Sequence, residues 1–151
     1  MKNDIDKYFE EVSENFLQLK NQSEKIEKAV EMVINSLKNG NTIIFCGNGG
    51  SAADSQHLAA ELMGRYKIDR DPLSSIAITV DTSALTAIGN DYGYEKVFER
   101  QIRGIGRKGD VLIAISTSGK SCNVIEALKV AKNMGISVIS FTGKNDSVMN
   151  D

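Results

Sequence analysis

Apolar positions near the N-terminus recur in steps of three and four: Ile5, Tyr8, Phe9, Val12, Phe16 and Leu19 share one face of a helix of about four turns. The pattern repeats at Ile26, Ala29, Val30, Val33, Ile34 and Leu37, with Ser23 available as N-cap and Gly40 as the C-terminal stop. Two amphipathic helices are therefore predicted before the first strand. The period then shortens. Residues 42–46 form an apolar run, followed by a glycine loop and an Ala- and Leu-rich helix from about Ala52 to Tyr66. Residues 67–72, which hold the only proline, read as a loop. Ser75–Val80 reads as a second strand, and Asp81 or Thr82 can cap a short helix ending at Ile88. Residues 89–94 are turn chemistry, and a further helix spans about Glu95–Ile105. Val111–Ile115 has the unbroken apolar character of a central parallel strand. A hydroxyl-rich loop, a helix over Asn123–Met134 and a strand over Ile136–Thr142 follow, and the residues after Thr142 read as a polar tail.

Strands alternating with helices over short loops predict an α/β fold with a central parallel sheet covered on both sides. Ligands in such folds sit beyond the carboxyl ends of the strands. At 151 residues, 41% hydrophobic and 25% charged with net charge −2, the chain has an ordinary globular composition. It lacks the basic footprint of a nucleic-acid binder, so no nucleic-acid partner is expected. No apolar run approaches the about 20 residues that span a bilayer, and the N-terminus has no signal-peptide centre, so a cytoplasmic protein without membrane attachment is expected. Cys46 and Cys122 make no zinc spacing and read as small buried hydrophobes. The leading helices add an apolar stripe that the crossover helices do not need, so contact with another subunit is expected.

Three stretches could carry chemistry. Gly47-Asn48-Gly49-Gly50-Ser51 joins a strand to a helix, so its backbone can approach a ligand closely and the first helical amides suit an anion. Ser116, Thr117, Ser118 and Ser121 place four hydroxyls around Gly119 at the next such junction, which makes the better phosphate cradle. Neither loop has the spacing of a nucleotide-binding fingerprint. His57, the only histidine, and Glu61 lie one helical turn apart. They could supply two Zn²⁺ ligands or a general base, or form a solvent-facing pair. Arg65, placed on the same helix, could clamp a phosphate or a hydroxyl, and Asn90 with Asp91 could accept sugar hydroxyls from a turn.

Taken together, G-N-G-G-S-A-A-D-S-Q-H-L-A-A-E at 47–61, A-I-G-N-D-Y-G at 87–93 and G-D-V-L-I-A-I-S-T-S-G-K-S at 109–121 closely resemble the sedoheptulose-7-phosphate isomerases of the sugar-isomerase (SIS) domain proteins. The resemblance covers essentially the whole chain. It implies a flavodoxin-like three-layer α/β/α sandwich, 1–151 as a single SIS domain with a helical N-terminal extension, and a cytoplasmic homotetramer. It also implies aldose–ketose isomerisation of a phosphosugar, feeding heptose precursors of lipopolysaccharide or capsule. By this likeness Ser116, Thr117, Ser118 and Ser121 grip the phosphate, while Asn48, Gly49, Gly50 and Ser51 line the sugar. Asn90, Asp91 and Arg65 contact its hydroxyls. His57 and Glu61 match zinc ligands, and Glu61 also matches the catalytic base. In the family a further strand and helix carry a glutamine and a histidine that complete the zinc site and supply the partner acid. This chain is expected to be cut short of them. The alternative is a non-catalytic SIS-domain protein that binds sugar phosphates or associates with a replication initiator; Glu61 favours the enzyme.

Overall fold

The computed structural model describes residues 1–143, 147 and 149. The chain divides into two compact units, Met1–Met32 and Val33–Asp151. The first is helical almost throughout. Helix α1 (Lys2–Gln18) passes through a 3₁₀ turn, Leu19–Gln22, into α2 (Ser23–Lys38), which ends in the second unit. The two helices predicted as separate elements thus form one continuous path. Ser23 is not an N-cap: its backbone is right-handed helical, and its hydroxyl donates back to the Lys20 carbonyl at 2.7 Å. No residue of α1 is buried, and the apolar stripe is open, with Phe9 70% and Phe16 69% exposed.

In the second unit, four parallel strands, β1 (Ile43–Gly47), β2 (Ser75–Ala77), β3 (Val111–Ser116) and β4 (Ser137–Thr142), lie in the order β2-β1-β3-β4. The chain moves outward from β1 to β2, then returns to the other side of β1 for β3 and β4. Right-handed crossovers in opposite directions put helix α3 (Gly50–Met63) on one face and α6 (Cys122–Asn133) on the other. The result is the expected α/β sandwich. Alternate residues of β1 serve the two faces: Ile44 and Cys46 join Leu112 and Ala114 of β3 in a cluster with Val97, Phe98, Ile102, Val124 and Ala127, whereas Ile43 and Phe45 are buried on the opposite side. Burial on both faces explains why these strands are continuous apolar runs. Desolvation pushes the Cys46 thiol up to about 12. Cys122, expected to be buried, is exposed at the first position of α6.

Several boundaries differ from the sequence reading. Helix α3 stops at Met63 rather than Tyr66 because Arg70 donates to the Glu61 and Leu62 carbonyls, both at 2.9 Å, and the Leu73 N–H takes Leu62 O at 3.0 Å. These bonds from downstream satisfy the end of the helix. Helix α4 (Thr82–Tyr92) is capped by Asp81, whose carboxylate accepts the Ala84 N–H at 2.9 Å, as predicted. It runs through the expected turn at 89–92 and stops only at Gly93. A 3₁₀ turn, Tyr94–Lys96, then leads into α5 (Val97–Ile105). Of the predicted polar tail, Gly143, Ser147 and Met149 are described. Ser147 and Met149 are buried, Met149 within the core cluster, and the rest of the tail lies outside the described residues.

Glycines shape the loop after β1. A Cβ on Gly47 would stand 2.7 Å from both Cβ and the carbonyl oxygen of Ser51, so this position lets α3 pack directly on the strand end. Gly49 has φ +57. A Cβ on Gly50 meets nothing within 4 Å. Gly47→Ala is expected to cost about 1–3 kcal/mol. Gly50→Ala is expected to be neutral or stabilising by up to about 1 kcal/mol. Urea denaturation of the two variants checks this, and equal losses would contradict it.

The Tyr94–Lys96 turn is tied to α6 by Lys96 Nζ on Glu126 Oε2 at 2.7 Å, while Lys129 Nζ holds Oε1 at 2.8 Å. The hydrogen bond from Lys129, then that from Lys96, lowers the Glu126 carboxyl to about 2. Because the folded value lies below the unfolded one, this stability is present above about pH 4.5 and is lost as pH falls toward 2. Thermal melts between pH 7 and 2 should therefore show a shallower acid decline for Glu126→Gln than for the unaltered protein. An identical decline would show that the ion pairs contribute nothing.

Candidate active site

The strand order reverses between β1 and β3, and such a switch opens a crevice at the carboxyl ends of the two strands. Here Gly47 pairs in register with Ile115, so the glycine loop and the hydroxyl loop leave the sheet side by side. The sequence reading separated these loops by some 70 residues of chain; the parallel pairing makes them neighbours.

The two loops differ in what they leave open. At the start of α3, Ser51 N–H donates to Asn48 O at 3.0 Å, and the Ala52 and Ala53 N–H groups both reach Gly49 O, at 3.0 and 3.2 Å. Those three donors are engaged, which leaves the Gly50 N–H without an intrahelical acceptor. The hydroxyl loop is closed by Ser116 Oγ and Ser121 Oγ, 3.0 Å apart, with Gly119 N–H on Ser116 O at 3.0 Å and Lys120 N–H on Ser118 Oγ at 3.2 Å. Ser116 is buried, whereas Thr117 and Ser118 are exposed. The Ser121 carbonyl takes the Val124 and Ile125 N–H groups at 3.0 Å. The first two amides of α6, those of Cys122 and Asn123, have no intrahelical acceptor by helix geometry. Both loops offer a helix-start amide without an intrahelical acceptor, and the exposed hydroxyls of Thr117 and Ser118 make this one the better anion cradle. Ser147 donates to Gly119 O at 3.0 Å and packs against that glycine.

The sugar-side candidates are arranged around Asn48. Its amide forms a reciprocal pair with Asn123 at 2.9 and 2.8 Å, bridging the glycine loop to α6. The Tyr94 hydroxyl donates to Asn48 Oδ1 at 3.3 Å. Sequence reasoning missed both partners. Asn123 could have been noticed as an amide at the start of an amphipathic helix, in step with its apolar positions Val124, Ala127 and Leu128, and it is 3% exposed. Asn90 and Asp91 are exposed on the last turn of α4, not in a turn, and Asn90 Nδ2 donates to Asp91 Oδ1 at 2.9 Å. Tyr94, just beyond that helix, brings the same segment to the glycine loop. Arg65 lies past the end of α3 and is exposed; no hydrogen bond joins it to the other candidates among the described residues.

His57 Nε2 and Glu61 Oε1 are 3.5 Å apart on α3, with Glu61 the less exposed of the two. Two atoms bound at about 2.1 Å to a tetrahedral ion lie roughly 3.4 Å apart, so the pair fits two corners of a zinc site. No group of three or more His, Cys, Asp or Glu able to hold a metal occurs among the described residues. The pair alone does not close a coordination shell.

The chain matches the SIS domain model over residues 7–143. It is 60% identical over 128 residues to a phosphoheptose isomerase of Aliarcobacter butzleri, covering 85% of this chain and 68% of that one. It is 51% identical over 140 residues to the phosphoheptose isomerase of Akkermansia muciniphila, with 93% and 74% coverage. The structure superposes on a phosphoheptose isomerase from Francisella tularensis with TM-score 0.93 at 32% identity, covering 98% of this chain and 78% of that one. For the enzyme from Neisseria gonorrhoeae the TM-score is 0.75 at 45% identity, with 95% and 79% coverage. Sequence, fold and loop arrangement agree: the chain belongs to the phosphoheptose isomerases of the SIS-domain family.

Proposed function

We propose that the protein is an aldose–ketose isomerase interconverting sedoheptulose 7-phosphate and D-glycero-D-manno-heptose 7-phosphate, for the heptose precursors of lipopolysaccharide or capsule. The observation that carries this reading is the carboxylate of Glu61 on the helix that leaves the glycine loop, while the neighbouring strand ends in a hydroxyl-lined loop. Ser116, Thr117, Ser118 and Ser121 hold the phosphate. Asn48, Gly49, Gly50 and Ser51 lie along the sugar, where the open space over Gly50 admits it close to the backbone. Asn90 and Asp91 take hydroxyls, and Arg65 reaches the same ligand from the loop after α3. Glu61 removes a proton from C1 of the ketose and returns it to C2 through an enediol, while a second group moves the proton between the two oxygens. Glu61 also separates this reading from a non-catalytic sugar-phosphate binder. General base catalysis supplies about 10²–10⁴ in rate, so positioning must supply much of the rest.

His57 and Glu61 would hold one Zn²⁺ together with ligands from outside the described residues. When bound, the ion would polarise the sugar carbonyl as a Lewis acid. The cytoplasm is the compartment proposed. Both cysteines are unpaired, and no helix among the described residues is long and apolar enough to cross a membrane. The open stripe Ile5, Tyr8, Phe9, Val12 and Phe16 supports assembly with further copies, in a homotetramer.

In the protein that carries this sequence, with Zn²⁺ added, Glu61→Gln should lower turnover of sedoheptulose 7-phosphate by about 10²–10⁴. Binding of the phosphate ester should survive. Proton NMR of the sugar and calorimetry measure the two, and normal turnover by the variant would sink Glu61 as base. Light scattering should find a four-chain particle that Phe9→Ser with Phe16→Ser dissociates. A monomer before substitution would refute the assembly.

A further inference from the structure

The amide of Asn48 is held so that its polarity can be deduced. The Val124 N–H, shared with Ser121 O, reaches Asn123 Oδ1 at 3.0 Å. A backbone N–H can only donate, so this atom of Asn123 is the oxygen. The atom of Asn48 facing it at 2.9 Å must then be Nδ2, and the reciprocal bond at 2.8 Å runs from Asn123 Nδ2 to Asn48 Oδ1. The Tyr94 hydroxyl takes a second position on the same Oδ1 at 3.3 Å. Two acceptor sites and one N–H of Asn48 are therefore used, and the second Nδ2 hydrogen remains.

We propose that Asn123 and Tyr94 are positioning residues that lock Asn48 so that it offers a sugar phosphate one N–H donor and no acceptor. The inference rests on the isomerase reading for the identity of the ligand, but not for the lock itself. A locked donor suits the carbonyl oxygen of an open-chain sugar, or the oxygen that gains charge as the enediol forms. It cannot accept from a hydroxyl, so it discriminates between the two kinds of oxygen along the chain of the ligand. Asn123 never needs to touch the ligand. Its side chain is buried, and it acts across the crevice at the strand switch. The shorter bonds to Asn123 make it the stronger half of the lock, and the longer Tyr94 bond the weaker.

The test uses Asn123→Ala and Tyr94→Phe in the whole chain, the second removing only an exposed hydroxyl in case the first disturbs folding. In the ligand-free protein, NMR of the Asn48 side chain should show two well-separated Nδ2 protons, one slow to exchange. In either variant their separation should shrink and the exchange should quicken. Apparent affinity for sedoheptulose 7-phosphate should fall about tenfold in Asn123→Ala and about threefold in Tyr94→Phe, with inorganic phosphate affinity within about twofold of the unaltered protein. An unchanged Asn48 spectrum, unchanged sugar-phosphate affinity in both variants, or an equal loss for both ligands would overturn the proposal. If the unaltered protein binds sedoheptulose 7-phosphate no better than inorganic phosphate, the isomerase reading fails, and the spectrum still decides the lock.

Discussion

The arrangement depends on one pairing: β1 and β3 lie side by side although a strand, three helices and their loops separate them in the chain. Because the sheet grows outward in opposite directions from these two strands, no crossover helix covers the gap between their carboxyl ends. That gap receives two loops of different chemistry. The tight approach of α3 at Gly47 and the reciprocal amide pair between Asn48 and Asn123 then fix how the loops face each other.

In the proposed function the glycine loop and the hydroxyl loop would divide the work of one ligand. In the first, Ser51, Ala52 and Ala53 N–H groups are spent on closing the helix start, and the absence of side chains is what the loop contributes. In the second, Thr117 and Ser118 are exposed, and the early amides of α6 are not consumed within the helix. An anion is better served there. The carboxylate of Glu61 is set back along α3, where Arg70 holds the carbonyls of Glu61 and Leu62 and so secures the last turn of the helix that carries it.

The strands and their order of appearance were legible because burial on both sheet faces leaves unbroken apolar runs at 43–46 and 111–115. The candidate residues were legible as types, and their motifs gave the family. What the sequence hid was long-range. The end of α3 is decided by Arg70 from a later loop, so Arg65 falls off the helix on which periodicity placed it. Gly89, Asn90 and Asp91 look like turn residues, yet hydrogen bonding carries α4 to Tyr92, with Tyr94 and Val97 lying close to Gly89. Ser23 has the chemistry of a cap but bonds backward within a continuous helical path. Asn123 and Tyr94 gain their importance from Asn48, dozens of residues away, and no local pattern announces that contact.

In the proposed function the crevice between β1 and β3 holds a sugar phosphate with its phosphate in the hydroxyl loop. A crystal structure with sedoheptulose 7-phosphate bound tests this most directly. The phosphorus should lie among Ser116, Thr117, Ser118 and Ser121, with the sugar chain passing over Gly50 and Asn48 and C1 and C2 against the Glu61 carboxylate. A phosphate seated on the glycine loop, or a ligand bound away from this crevice, would contradict it.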